Sequence, residues 1–382
     1  MALTVTIICM TPILALAQEV PELQITSKHY IVIDADTGEV FAQRGAHDQV
    51  AVASLTKVFT TIEALERGRL DQVVTTKDSD VFDPVSSTVM GFGAGETLTL
   101  EDLLYGMMLP SGNDAAHAIA RALGYQDGDT DSEAVRRFVD MMNERIRNMG
   151  LTETNLVRPD GWGVKGHHSS AHDLAVFTMY ALKYPVFVDL ISTPTYSTPG
   201  GAYTVTNTNK MLNTYTDLIG GKTGYDDDAG YCLIEVARRG GNTMISVTLD
   251  GVAPDDWYDD NRVLLDYAFE QKEARVAANR KITGEVLSFR DPDAARIIAQ
   301  ATPGASVGAT AATPTPSSSS PPLAVDVLTT PTPASGSGAT DGSGGMNGKL
   351  MVAVVVTAVV IVAGVLGSVV GGSGTGGRAK PD

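Results

Sequence analysis

Apolar residues recur along this chain at two different periods, and the change from one to the other outlines the architecture. From Tyr30 to Arg44, "YIVIDADTGEVFAQR", apolar and polar positions alternate around an Asp-Thr-Gly turn, the pattern of a β-hairpin. Between about residues 54 and 182 the spacing becomes helical. Leu55, Val58, Phe59, Ile62 and Leu65 make one apolar face of a helix that Gly68 would stop. Thr99 with Asp102 has the form of a capping box for a second helix, "TLTLEDLLYGMM". Further helices are predicted from about Asp114 through "AAHAIARALG" and over "AHDLAVFTMYAL". Strand patterns return in "GGKTGY", "AGYCLIEVARR" and "TMISVTLDG", the last two joined through Gly240-Gly241-Asn242. A closing helix, "WYDDNRVLLDYAFEQ", is predicted to bury Val263, Leu264, Tyr267 and Ala268. Strands from both ends around a helical middle imply an α+β fold, an antiparallel sheet with a helical subdomain.

The two ends of the chain follow other patterns. Residues 1–17, "MALTVTIICMTPILALA", are an apolar run ending in Ala-Leu-Ala, the form of a cleaved export signal, although no Lys or Arg precedes it. Leu350 to Val370 is 21 residues without a charge, long enough to span a hydrocarbon core as a transmembrane helix. Between body and helix, residues 301–348 are dominated by Pro, Ser, Thr, Ala and Gly without periodicity, which predicts a disordered tether. The expected organisation is therefore a signal peptide (1–17), a catalytic domain (18–272), a short segment (273–300), the tether (301–348), a membrane helix (349–370) and a cytoplasmic tail (371–382). In the tail, Arg378 and Lys380 fit the positive-inside rule, which puts the catalytic part outside a cell membrane crossed once. A formal net charge of −17 argues against nucleic acid as a partner. Only Cys9 and Cys232 are present, so no disulfide framework is expected, and Cys232 reads as a core strand residue.

Chemistry enters with Ser54-x-x-Lys57 at the start of the first helix. Residues i and i+3 share a helix face, so the serine hydroxyl can meet the lysine amine, and a neutral lysine can activate a serine as nucleophile. Ser111-Gly112-Asn113 falls in a loop between two predicted helices, and Lys222-Thr223-Gly224 in a strand. Each triplet alone carries little weight. All three in this order should occur by chance on the order of once in several hundred chains of this length.

The set S-x-x-K, S-x-N, K-T-G is that of penicillin-binding proteins and class A β-lactamases. More closely, the chain resembles the serine D-Ala-D-Ala carboxypeptidases, the low-molecular-weight penicillin-binding proteins. The resemblance runs through "IDADTGEVFAQ", "ASLTKVFTTIEALE", "LTLEDLLYGMMLPSGNDAAHAIA", "GHHSSAHDLA" and "IGGKTGYDDDAGYCLIEVARRGG". It implies a β-lactamase/transpeptidase-like fold with the site between sheet and helical subdomain. It further implies peptidoglycan stem peptides as substrate, β-lactam antibiotics as covalent inhibitors, and no cofactor. Many relatives carry a small β-rich domain after the catalytic one, and Gln271 to Gln300 is too short for it.

By this resemblance Ser54 is the nucleophile, Lys57 its base, Ser111 a proton relay, and Asn113 a partner of Lys57 or of the substrate amide. Lys222 and Thr223 would bind the terminal carboxylate, Gly224 would admit the substrate backbone, and the N–H groups of Ser54 and Tyr225 would form the oxyanion hole. Metal sites are not expected. The acidic stretch starting at Asp127 lacks the Gly and Glu of a calcium loop, with Ser132 and Phe138 in their places. His167-His168 has no carboxylate or thiolate cluster in sequence beside it, and Asp226 to Asp228 read as a hairpin turn. A β-lactamase using the same motifs and a catalytically silent wall-binding protein are the alternatives. Against the first, "LTETNLVRPDGWGVKGHHSS" contains Glu153 but lacks the Glu-x-x-x-Asn arrangement of a deacylating base, so Glu153 is expected to be solvated or to cap a helix.

Overall fold

The computed structural model describes residues 23–292. The expected signal peptide, tether, membrane helix and tail lie outside these residues. Among the described residues no single helix is long and apolar enough to cross a membrane.

In chain order the strands are β1 (His29–Asp34), β2 (Val40–Arg44), β3 (Val73–Thr75), β4 (Thr97–Thr99), β5 (Thr195–Ser197), β6 (Thr204–Thr206), β7 (Leu218–Asp226), β8 (Gly230–Arg239) and β9 (Asn242–Gly251). The helices are α1 (Lys57–Arg67), α2 (Leu100–Met108), α3 (Asn113–Gly124), α4 (Asp131–Met149), α5 (Ala171–Ala181), α6 (Pro185–Ser192) and α7 (Asp256–Ala277). Five strands form one antiparallel sheet in the order β2-β1-β9-β8-β7, and β3-β4 and β5-β6 are separate two-stranded ribbons. This is the α+β arrangement that the pattern predicts, and it agrees with the transpeptidase-like fold that the resemblance implies.

Alternation along the central strands fixes what covers each face. Ile31, Ile33, Cys232, Ile234, Val236, Ile245, Val247 and Leu249 belong to the core shared with α1 to α5. Tyr30, Val32, Leu233, Ala237 and Met244 pack instead with Trp257, Leu264, Leu265, Ala268 and Phe269 of α7. Burial pushes the Cys232 thiol up to about 12, so it stays protonated and behaves as an apolar side chain.

The turns follow the chemistry of their residues. Asp34 Oδ1 accepts the N–H groups of Asp36 and Thr37 at 2.9 Å each, which closes the β1–β2 turn. Thr99 and Asp102 cap α2 reciprocally. Gly240 and Gly241, at φ of 57° and 83°, make the tight β8–β9 turn.

The buried face of α7 differs from the expected one. Leu264 and Ala268 are buried, but Val263 is 38% exposed and Tyr267 is only partly covered, while Asp260 and Asn261 lie inside. Their polarity is matched there. Asp260 accepts from the N–H and hydroxyl of Ser27, and Asn261 bonds Ser246 and Thr248 on β9. Periodicity alone reads such residues as outward-facing. Beyond α7 the chain returns to the β1–β2 hairpin. Val40 N–H donates to Glu285 O (3.0 Å) and Leu287 N–H to Gly38 O (2.8 Å), with the Leu287 side chain buried.

Candidate active site

Ser54 lies in a single 3₁₀ turn, Ala53–Thr56, that runs directly into α1. The tight entry turn lets side chains three residues apart meet, and the Lys57 amine lies 2.7 Å from Ser54 Oγ. Lys57 is fully buried. Its amine also donates to Asn113 Oδ1 (2.7 Å) and to the backbone carbonyl of Asp160 (2.8 Å). Burial lowers Lys57 from its usual 10.5 to about 8, although the carboxylates of Asp160 and Asp114 pull the other way. A substantial fraction of neutral amine, beside a serine hydroxyl, is what general-base activation requires.

Asn113 opens α3, and its amide nitrogen donates to Ser87 Oγ at 2.9 Å, leaving the oxygen aimed at Lys57. Ser111, two residues earlier, has φ of +65°, a left-handed conformation unusual for a residue with a side chain. Its carbonyl accepts from Thr88 Oγ1 (2.7 Å), and its hydroxyl accepts from the Lys222 amine at 3.0 Å.

Lys222 stands in the middle of β7, opposite Ile234 of β8. It is buried, and its amine meets only Ser111 Oγ and the Thr223 carbonyl at 2.9 Å, with no carboxylate partner among the described residues. Burial first, and the nearby Lys57 charge second, lower its pKa well below the usual value. A buried lysine amine with no carboxylate partner is a site for an anion, whose charge would favour its ammonium form. The Thr223 hydroxyl, 2.6 Å from that of Thr208, stands beside it.

Gly224 lets β7 approach the serine turn. A Cβ there would lie 3.1 Å from Val52 O and 3.2 Å from Ser54 N, so any side chain would push the strand away. Tyr225 is half exposed, packs at a tilt against Tyr231, and bonds Asp227 through its hydroxyl. Ser54, Ser111, Thr223, Gly224 and Tyr225 line one cleft of about 680 Å³, with Trp162 and Ser87 on its walls. The eight residues predicted from sequence thus converge on a single place.

Three contributors escape the sequence pattern: Ser87, Thr208 and Asp160. Ser87 and Thr208 sit in loops where nothing local marks them. Asp160 acts through its backbone carbonyl, and the Asp-Gly turn in "RPDGW" is the only signal for it. Gly161, at φ +82°, passes so close to the serine turn that a Cβ would lie 2.0 Å from Ala53 O. The Asp160 carboxylate is buried, pairs with Arg158 (3.0 and 2.7 Å) and accepts the Trp162 N–H, which fixes the turn.

His167 is structural. Val157 N–H donates to its Nδ1, so the proton is on Nε2, which donates to Thr56 Oγ1 at 2.7 Å. Burial lowers this imidazole to about 4. Glu153 is half buried and not free in solvent. Its carboxylate meets His47 (2.7 Å) and accepts from Ser170, the N-cap residue of α5, at 2.6 Å. It is not among the residues lining the cleft. Asp226 Oδ1 accepts from Asp228 and Ala229, the hairpin turn expected there.

A family model described as D-alanyl-D-alanine carboxypeptidase matches residues 15–253. The chain belongs to that family. This carboxypeptidase is 30% identical over 270 residues to the D-alanyl-D-alanine carboxypeptidase DacF of Bacillus subtilis, covering 69% of this chain and 67% of the relative. It is 32% identical to DacB2 of Mycobacterium tuberculosis, covering 63% and 81% of the two chains. Among solved structures, the DD-transpeptidase of Streptomyces K15 superposes with a TM-score of 0.61 at 31% identity, over 66% of this carboxypeptidase and all of the other chain. A D-alanyl-D-alanine carboxypeptidase from M. tuberculosis gives 0.60 at 30% identity, over 66% and 95%.

Proposed function

We propose that this carboxypeptidase removes the terminal D-Ala of peptidoglycan stem peptides through an acyl-enzyme on Ser54. The observation that carries the assignment is the Ser54–Lys57 contact of 2.7 Å, with a lysine held at about 8. The substrate carboxylate docks at Lys222 and Thr223, supplying the negative charge that draws Lys222 to its ammonium form. Ser54 Oγ gives its proton to neutral Lys57 and bonds the carbonyl carbon of the penultimate D-Ala. Backbone N–H groups of Ser54 and Tyr225 hold the oxyanion. The C–N bond then breaks, and the leaving amine takes a proton relayed through Ser111. Water attacks the ester, Lys57 accepts its proton, and Ser54 is released.

The same nucleophile opens a β-lactam ring, and that amine stays tethered in the product. The carboxylates that act on Lys57, those of Asp160 and Asp114, are held by Arg158 and by backbone N–H groups, and Glu153 is engaged by His47 and Ser170, so none of the three is free for the role of a β-lactamase glutamate. Bound penicillin should therefore persist for minutes while D-Ala release turns over. Both rates on one preparation test the reading, together with Ser54→Ala, which should lose covalent penicillin labelling. Rapid multiple turnover of penicillin without D-Ala release, or labelling that survives Ser54→Ala, would overturn it.

We further propose that the protein is exported by residues 1–17 and held at the cell membrane by 349–370. The uncharged run of 21 residues and the Pro/Ser/Thr/Gly-rich stretch before it support this.

A further inference from the structure

Away from the cleft, three stretches far apart in sequence are tied together by hydrogen bonds. His172 N–H donates to Ala46 O (2.8 Å), and Glu153 N–H donates to Asp173 Oδ2 (2.9 Å). The turn after β2, the loop that leads to Asp160 and the first turn of α5 thereby present His47, Glu153 and His172 to one another. One ligand atom from each of the three lies within 4.8 Å of the others. His47 Nδ1 is 2.7 Å from Glu153 Oε1, and His172 Nδ1 is 3.5 Å from Glu153 Oε2 and 3.0 Å from Asp173 Oδ1. Donor atoms bound tetrahedrally at about 2.1 Å stand roughly 3.4 Å apart, so little movement is needed to close around one ion.

We propose that His47, Glu153 and His172, with Asp173 beside them, bind a divalent transition-metal ion of the zinc class. The supporting contacts have the form such sites use. Ser170 Oγ holds Glu153 Oε2, His47 Nδ1 donates to Glu153 Oε1 at 2.7 Å through a proton that an incoming ion would displace, and Glu285 Oε1 stands 3.9 Å from His47 Nε2 on the other side of the ring. Charge points the same way. Glu153, Asp173 and Glu285 gather here, and among the described residues none of them pairs with a lysine or arginine. Two imidazoles and carboxylate oxygen select zinc-like ions over calcium or magnesium, which prefer all-oxygen shells. An ion here clasps the loop that carries the Asp160 carbonyl and, through Glu285, the returning segment after α7. Its role is to stiffen that loop, and the chemistry at Ser54 proceeds without it.

Calorimetric titration of the full chain with ZnCl2 tests this. The expected result is one equivalent bound, a raised melting temperature, and a Co2+ derivative whose absorption shows nitrogen ligation. The double variant His47→Ala/His172→Ala should weaken zinc binding by about a hundredfold or more, while metal-free D-Ala release stays at the parent rate. His29→Ala, which removes an imidazole outside the cluster, should bind zinc like the parent. Failure to bind zinc, equal binding by the double variant, or calcium binding as tight as zinc would each overturn the proposal. Loss of binding in a double variant whose circular dichroism and metal-free melting match the parent excludes misfolding as the cause.

Discussion

Replacing Asp160 by Asn separates the two things this residue does for Lys57. Its carbonyl accepts from the amine at 2.8 Å and survives the substitution. Its carboxylate is the leading influence holding the Lys57 pKa up against burial. With the pKa at about 8, roughly one amine in eleven is neutral at pH 7 and roughly ten in eleven at pH 9. If neutral Lys57 is the base, acylation of the parent enzyme rises about tenfold across that interval and then levels off. Removing the carboxylate, and leaving Arg158 without its partner, both disfavour the ammonium. At an effective dielectric constant near 20 the midpoint should fall by on the order of one pH unit. Acylation near pH 7 then speeds up about fivefold while the plateau is unchanged, because the neutral fraction goes from about one in eleven to about one half. An Asn side chain can still accept the Trp162 N–H, so the turn keeps its shape. Stopped-flow acylation by a fluorescent penicillin from pH 6 to 10 reads this directly. A midpoint that stays put or moves upward in the folded variant would refute the role given to Lys57.

Lys222→Gln should reduce kcat/KM for an acyl-D-Ala-D-Ala peptide at least thirtyfold, roughly the worth of a hydrogen bond to a charged group, and steady-state kinetics with a substrate lacking the terminal carboxylate should show a much smaller loss. Gly161→Ala should cost about 2–4 kcal/mol, from a positive φ and a Cβ driven against Ala53 O, and should slow acylation by displacing the Asp160 carbonyl; a melting curve like the parent's would contradict this. Glu235 is fully buried, receives only the Asn209 amide at 2.9 Å, and is pushed by burial from 4.5 up to about 8. Its raised folded pKa makes its contribution complete below pH 4.5 and lost as pH rises through 8, on the order of 5 kcal/mol in all. Glu235→Gln should therefore become progressively more stable relative to the parent from pH 5 to 8 in urea melts, and a pH-independent difference would count against it.

Which regions of this molecule could be read from sequence follows from what each depends on. The hairpin of β1 and β2, the capping box of α2 and the β8–β9 turn rest on residues within a few positions of one another, and all three appear as expected. The active-site triplets could be found because each packs two functional side chains into three or four residues. Asp160 contributes a carbonyl, which every residue has, and Ser87 and Thr208 matter only because the fold brings them to Asn113 and Thr223. Burial of Asp260 and Asn261 in α7 is hidden from the sequence for a related reason: their partners, Ser27, Ser246 and Thr248, are supplied by distant strands. The expectation of a solvated or capping Glu153 missed His47, a contact between positions 106 apart.

The return of the chain to the β1–β2 hairpin has a mechanical consequence. Residues 285–290 are fastened by single backbone bonds to Gly38, Val40 and Met149 and by the buried Leu287. Any pull transmitted through the chain beyond residue 292 reaches these fastenings before it reaches the five-stranded sheet. They are arranged to yield in succession, as a zipper opens, whereas the central strands hold through ladders of many bonds. Tension would thus be absorbed by peeling a short strip from the edge, leaving the serine turn and its lysine undisturbed.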